Sequence, residues 1–165
     1  MGEGADRTTI ADNEVPYAIT SGNLVHVALY TEIGTYDEGL FVDCVDFDFS
    51  LRVRRAGYRV IRVSSAVMRH QLGETASDLP PFVRRIYARH SPARRYYMAR
   101  NYLYLAERYL LAFPMFVMKL GLLQSLMTVL IAPYDTDPSA SYRATARGVW
   151  DYLRRRHGRA PMRAV

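Results

Sequence analysis

The chain has 165 residues, half of them hydrophobic, which supplies enough apolar surface for a packed core and excludes a wholly disordered segment. Its 22 Lys and Arg residues exceed its 16 Asp and Glu residues, so the net charge is +6, and this basic balance favours phosphates or anionic lipids as partners. The single cysteine, Cys44, excludes a disulfide within the chain and fits a reducing compartment.

The first half of the chain predicts strands mixed with helices. Residues 1–14 are polar and lack periodicity, which predicts a flexible arm. Residues 15–20 and 58–63 predict two strands, and residues 66–70 predict another.

Two helices are predicted between these strands. A turn over residues 21–23 precedes an apolar segment that ends at Gly34, a residue suited to stopping a helix. The second helix is predicted from about Asp43 to Ala56, and Gly57 closes it.

Beyond residue 90 the sequence predicts helices alone. Two helix starts pair a capping side chain with a following proline, Ser91 with Pro92 and Asp137 with Pro138. An apolar helix over residues 114–133 is predicted between them. The predicted organisation has four parts: a flexible arm (1–14), an α/β part (15–90), a helical extension (91–158) and a tail (159–165).

Three carboxylates stand at the start of the second predicted helix: Asp43, Asp46 and Asp48. Helix stability alone explains this pattern, because acidic residues suit the helix dipole, Asp43 caps the helix, and Asp48 with Arg52 makes a surface pair. The alternative is chemistry at Asp46, which has apolar neighbours and is less solvated than a surface pair requires.

Four segments carry a resemblance to a known family: TSGNL, IGTYDEGLFVDCVDFDFSLRVRRAGYRV, AVMRHQLGE and HSPARRYYMARN. From about residue 15 to residue 158, the chain resembles the second half of a family 2 glycosyltransferase and is most similar to bacterial rhamnosyltransferases. The resemblance implies an α/β fold, the C-terminal half of the GT-A nucleotide-diphospho-sugar transferase fold, followed by a helical C-terminal extension. It also implies inverting sugar transfer in cell-surface polysaccharide synthesis.

The resemblance implies roles for individual residues. Asp46 becomes the general base that takes the proton of the acceptor hydroxyl, and His70 becomes a ligand of Mg²⁺ or Mn²⁺. Without the resemblance, His70 is an ordinary partly buried histidine. Substrate contacts are expected in the turn and in the loop before the base: Ser21, Gly22, Asn23, Asp37 and Glu38.

The family also has an N-terminal, nucleotide-binding half with an Asp-x-Asp motif, and the resemblance begins after that half. The Asp-x-Asp pattern also occurs twice in this chain, beginning at Asp46 and at Asp135. The first lies in a predicted helix, where residues two apart do not converge on one ion, and the second lies in a turn between helices. The chain by itself is therefore expected to be incomplete and to transfer no sugar.

The arginines of the RRYYMARN segment are open to two interpretations, contacts with phosphate or a solvated helix face, and the second is favoured. They are Arg94, Arg95 and Arg100.

The apolar residues 110–132 raise the possibility of a membrane-spanning helix, which Pro114 and Lys119 argue against. The helix that follows places Tyr142 and Trp150 on one side and several arginines elsewhere, a pattern typical of binding to an anionic membrane surface. Packing on the protein's own core explains the pattern as well. Because no basic and apolar leader opens the sequence, a secretory signal is not expected, and the chain is expected in the cytoplasm. The resemblance favours a peripheral position at the cytoplasmic face of the inner membrane, because enzymes of the family often act on polyprenyl-linked acceptors there.

The sequence therefore predicts a rhamnosyltransferase-like enzyme that uses a nucleotide sugar and a glycan or polyprenyl-linked acceptor. The alternative is a truncated, inactive binding module at the membrane periphery. Nucleic acid is not a predicted partner, because the basic residues are spread over helices that also carry large apolar faces.

Overall fold

A computed structural model of the protein describes residues 14–66 and 90–160. These residues form five α-helices and one short 3₁₀ helix. In chain order they are α1 (Val27–Ile33), α2 (Val45–Arg55), α3 (Pro92–Tyr109), α4 (Pro114–Leu130), the 3₁₀ helix (Ala132–Tyr134) and α5 (Pro138–Leu153).

The predicted α/β fold, the C-terminal half of a GT-A domain, is wrong for this structure. The described residues contain no β-strand and no sheet. Of the two segments predicted as strands, 58–63 contains Ile61, which forms an isolated antiparallel bridge with Glu14, just before residues 15–20. Beside this bridge the Val15 N–H donates to the Val60 carbonyl oxygen over 2.9 Å. Most of the further predicted strand, residues 67–70, lies outside the described residues.

Several backbone N–H groups of these two segments are not available for pairing in a sheet. Pro16 has no N–H to donate, and the Ala18 N–H donates to the Ser50 hydroxyl oxygen over 3.3 Å. The Tyr58 N–H donates to the Val53 carbonyl oxygen over 3.1 Å, as part of a helix end. Strand-forming side chains without paired neighbours therefore give a single bridge and no sheet.

The described residues divide into two compact units. The first unit contains residues 14–36 and 46–66, and the second contains residues 37–45 and 90–160. The predicted boundaries at residues 90 and 158 stay a prediction.

The capping signals of α3 and α5 are confirmed. The Ser91 side chain accepts a hydrogen bond from the Arg94 N–H over 3.3 Å, and Asp137 accepts one from the Ala140 N–H over 2.9 Å. In both helices proline occupies the first turn, where its missing N–H costs nothing.

The end of α2 is confirmed and its start is corrected. Gly57 has φ +87°, and its N–H donates to the Arg54 carbonyl while the next N–H reaches Val53, which together form a Schellman motif. The helix begins at Val45, later than predicted. Asp43 therefore stands before the N-cap position, and its predicted role as helix cap is wrong.

The core of the second unit lies between α3 and α5. Tyr96, Tyr97 and Ala144 are buried together, and Gly148 lets the two backbones approach closely, because a Cβ there would collide with the Tyr96 carbonyl oxygen. By contrast, α4 contributes a single buried residue, Val117. Across residues 14–66 and 90–160, no helix is both long enough and apolar enough to cross a membrane.

Candidate functional site

Asp46 lies in the first turn of α2 and is half-buried. The N-terminal end of a helix carries partial positive charge, which favours a carboxylate there. Burial raises the pKa of the nearby Tyr36 phenol most strongly, Tyr30 raises it further, and the negative charge of Asp46 adds to the effect. Asp46 is therefore a carboxylate on a fixed helix turn with a phenol in its electrostatic range, an arrangement able to accept a proton.

Aromatic contacts pack this part of α2 within the first unit. The Phe47 ring meets Tyr17 edge-on with 4.6 Å between centroids. Phe49 lies against Tyr36 at 4.5 Å and against Tyr30 at 5.5 Å. Such contacts hold ring positions well, so the helix turn that carries Asp46 has a defined apolar environment.

The predicted turn at residues 21–23 is present. Gly22 has φ +74°, and the Asn23 N–H donates to the Thr20 carbonyl oxygen over 3.1 Å. The whole turn lines a cavity of about 580 Å³, and Asn23 also lines a second cavity of about 360 Å³ beside α1 and α2. Both volumes fall in the range of small-molecule sites. Asp46 lines neither cavity. The role of Asp46 as the base and the substrate contacts of the turn both stay predictions.

Arg52 is an organising residue of the first unit. Its Nη1 donates to the carbonyl oxygen of Ile33 over 2.7 Å, and its Nη2 donates to that of Thr35 over 2.7 Å. Its Nε donates to Asp48 over 2.9 Å, which confirms the predicted pair. The pair is not at the surface as predicted, since Asp48 is only 1% exposed. The pair therefore anchors the end of α1 to α2.

Asp37 and Glu38 belong to the second unit, whereas Asp46 and the turn belong to the first. The Asp37 carboxylate accepts hydrogen bonds from the Gly39 N–H over 2.9 Å and from Arg108 over 3.0 Å. Glu38 is exposed. The predicted substrate contacts at both residues stay predictions, and the structure gives Asp37 a second role in holding its own loop.

The loop before α2 has an unusual backbone. Phe41, Asp43 and Cys44 have φ values of +63°, +60° and +63°. Residues with a side chain seldom adopt this left-handed conformation, and each such residue costs about 1–3 kcal/mol. Strain of this kind persists only where neighbouring groups over-determine the conformation.

Two buried residues of α3 supply that constraint. The Nδ2 of Asn101 donates to the carbonyl oxygens of Leu40 and Val42 over 2.7 and 2.6 Å. Arg100 donates to the Leu40 carbonyl over 3.2 Å and to Gly158 over 2.7 Å. The loop that leads into α2 is thus fixed by side chains that lie 59 to 61 residues away in the chain.

The favoured interpretation of the RRYYMARN arginines, a solvated helix face, is wrong for two of them. Arg95 and Arg100 are each 1% exposed. Arg95 forms a buried ion pair with Asp135, with 2.9 Å between Nε and Oδ2. Arg94 is half exposed and pairs with Asp43 over 3.1 Å. No sequence signal marks the partners of Arg94 and Arg95, because these lie 51 and 40 residues away.

His90 precedes the α3 cap and is more than half buried. Burial lowers its pKa most strongly, and Arg94 and Arg95 lower it further, to about 4. Asp43 and Asp135 oppose this shift. His90 is therefore neutral at physiological pH.

The predicted metal ligand, His70, lies outside the described residues. Within the two described ranges, no three His, Cys, Asp or Glu side chains are grouped so that they could hold a metal ion. These side chains do not by themselves fit a metal site, and the Mg²⁺ or Mn²⁺ site stays a prediction.

Comparison with known proteins gives one similarity. No protein-family model and no solved structure matches the chain. It is 30% identical over 100 residues to the dTDP-rhamnosyl transferase RfbF of Shigella flexneri. That relative is a glycosyltransferase. The match covers 58% of this chain and 33% of the relative, so the chain spans about a third of the length of the curated protein it matches. The similarity supports the predicted relationship to glycosyltransferases.

Proposed function

We propose that the chain is the acceptor-side part of a glycosyltransferase that moves a deoxyhexose, of which rhamnose is the type, from a dTDP-linked donor. The acceptor is a glycan or lipid-linked glycan of the cell surface. The observation that carries the proposal is the 30% identity over 100 residues to a dTDP-rhamnosyl transferase. The position of Asp46 in the first turn of α2 supports it.

The proposed step is a single displacement with inversion at the anomeric carbon. The acceptor oxygen forms the new bond to that carbon while the bond to the diphosphate oxygen breaks, and the leaving diphosphate takes the electron pair. The Asp46 carboxylate takes the acceptor's proton during the attack, which a positioned base accelerates by about 10²–10⁴-fold. The positive end of α2 keeps negative charge at Asp46 favourable before that transfer.

The remaining predicted contacts take supporting roles in this proposal. The turn at Ser21, Gly22 and Asn23 lines a cavity large enough for a sugar unit, and its backbone and amide groups suit sugar hydroxyls. Glu38, exposed in the loop before α2, suits hydroxyls of the acceptor.

Acceptor-dependent release of dTDP tests the activity. A full-length transferase that carries this segment is incubated with dTDP-rhamnose, with and without a membrane lipid extract as the acceptor source. We expect dTDP to be released only when donor and acceptor are both present. The product should be a rhamnosylated lipid whose anomeric configuration is inverted relative to the donor. Release at the same rate without acceptor, or no release with any dTDP-linked deoxyhexose, contradicts the proposal.

A further inference from the structure

The outer surface of α4 is apolar and uncovered in the second unit. Met115, Met118, Leu122 and Val129 are 72, 65, 62 and 66% exposed. Isolated exposed apolar residues are normal, but a helix that exposes most of its large side chains marks an interaction surface. Leu123, Leu126 and Leu130 of α4 are exposed as well, and so is Leu111, which lies just before the helix.

The apolar surface continues onto α5. Tyr142, Val149, Trp150 and Leu153 are exposed, and their spacing places them along one side of the helix. Val149 lines the same groove of about 350 Å³ as Val129 of α4. The two helices therefore present one joined apolar surface, called the α4–α5 surface below.

The charged groups of these two helices are almost all basic. Lys119 on α4 and Arg143 on α5 are exposed. Arg154, just after α5, lies over the Trp150 ring with 4.5 Å to the centroid. α4 has no acidic residue, and the one acidic residue of α5, Asp151, is buried.

We propose that the α4–α5 surface binds the surface of an anionic lipid bilayer. Leucine and methionine side chains enter the boundary between headgroups and acyl chains, Trp150 lies at the level of the headgroups, and the basic residues meet lipid phosphates. The proposal is independent of the transferase activity.

A second copy of the chain fits this surface less well. A symmetric dimer places the same patch against itself, so it would bring basic residues against one another without acidic partners from either helix. An anionic bilayer satisfies the apolar and the basic parts of the surface together.

Trp150 reports binding directly, because it is the single tryptophan of the chain. The 165-residue chain is titrated with phosphatidylcholine vesicles that contain phosphatidylglycerol, and separately with phosphatidylcholine alone. We expect a blue shift of tryptophan emission and co-flotation with the anionic vesicles, and much weaker binding to the neutral ones. Binding should weaken when salt rises from roughly 0.1 M to 1 M, where screening shortens to about 3 Å.

Two variants test the two parts of the surface. Lys119→Gln with Arg143→Gln should weaken binding to anionic vesicles about 25-fold, at about fivefold for each basic residue removed. Leu122→Gln should weaken it about tenfold through lost apolar burial. Matched controls in the first unit are Arg59→Gln and Leu24→Gln, both at exposed positions, and they should bind as the parent chain does.

Three results would overturn the proposal. One is no binding to anionic vesicles, and another is equal binding to both vesicle types at both salt concentrations. The third is a concentration-dependent dimer that Leu122→Gln abolishes while vesicle binding is absent, which assigns the surface to a second copy.

Discussion

The side chain of Asn101 holds the backbone at Val42, with 2.6 Å between Nδ2 and the carbonyl oxygen. The same nitrogen lies 2.7 Å from the Leu40 carbonyl oxygen and 3.0 Å from that of Asp43. Asn101 is completely buried, and so is its bond to the Leu40 carbonyl, where no water can replace it. One amide group thus fixes a strained loop whose last residue, Cys44, directly precedes α2.

Asn101→Asp should destabilise the protein more than any surface change. The substitution keeps the shape but replaces two N–H donors with an acceptor, so the buried Leu40 carbonyl loses its partner and faces a carboxylate. We expect the free energy of unfolding to fall by at least about 1–3 kcal/mol in chemical denaturation. Glu38→Gln, an exposed change in the same unit, should fall within about 0.5 kcal/mol of the parent. Equal stability of Asn101→Asp and the parent would show that these bonds do not constrain the loop.

Asp48→Asn should also reduce stability, because Asp48 is buried and its carboxylate bonds Arg52. Arg52 in turn holds the carbonyls of Ile33 and Thr35. Charge-assisted hydrogen bonds of this kind contribute about 1.5–3 kcal/mol, so we expect a loss of that order in urea unfolding. A surface pair contributes only about 0–1 kcal/mol.

Glu107→Gln is the matched control for that measurement. It removes one carboxylate from an exposed pair with Arg155, whose side chain is 63% exposed. Its effect on the unfolding midpoint should be clearly smaller than that of Asp48→Asn. If the two substitutions cost the same, the buried pair has no special structural role.

The low pKa of His90 predicts a pH dependence of stability. Below about pH 6.5 the unfolded chain takes up a proton at His90, whereas the folded protein does so only near pH 4. The contribution of His90 is therefore fully present above about pH 6.5 and is lost as the pH falls towards 4. In thermal unfolding, the midpoint of the parent should fall across this window.

His90→Gln isolates this effect, since glutamine does not titrate. The variant's midpoint should fall less than the parent's between pH 6.5 and 5, before most carboxylates titrate. Parallel pH profiles for the two proteins would mean that His90 titrates alike in the folded and unfolded states.

Local signals in the sequence were sufficient to predict several of the helix ends. Ser91 with its following proline, Asp137 with its following proline, and Gly57 act through hydrogen bonds within a few residues, and each appears at the expected helix end. Their effect depends on neighbours in the chain alone, so a pattern can reveal it.

Features that depend on distant partners were not predictable in this way. The β-branched and aromatic residues of 58–63 predict a strand, but a strand requires a neighbour, and only one bridge forms. Likewise, Arg100 has the sequence context of a surface arginine, and its burial follows from carbonyls of Leu40 and Gly158, about 60 residues away. The position of Asp46 at a helix start was predictable. The phenol of Tyr36 in its electrostatic range was not.

The turnover of Asp46→Asn tests the central claim most directly. In a full-length transferase that carries this segment, kcat should fall by about 10²–10⁴-fold while the affinity for dTDP-rhamnose stays within about twofold, because the substitution removes a base and leaves the donor contacts in place. Asp48→Asn, the same chemical change two residues later, should keep turnover within tenfold of the parent at a temperature where it is folded. Near-normal turnover of Asp46→Asn, or loss of turnover in folded Asp48→Asn alone, would contradict the assignment of Asp46 as the base.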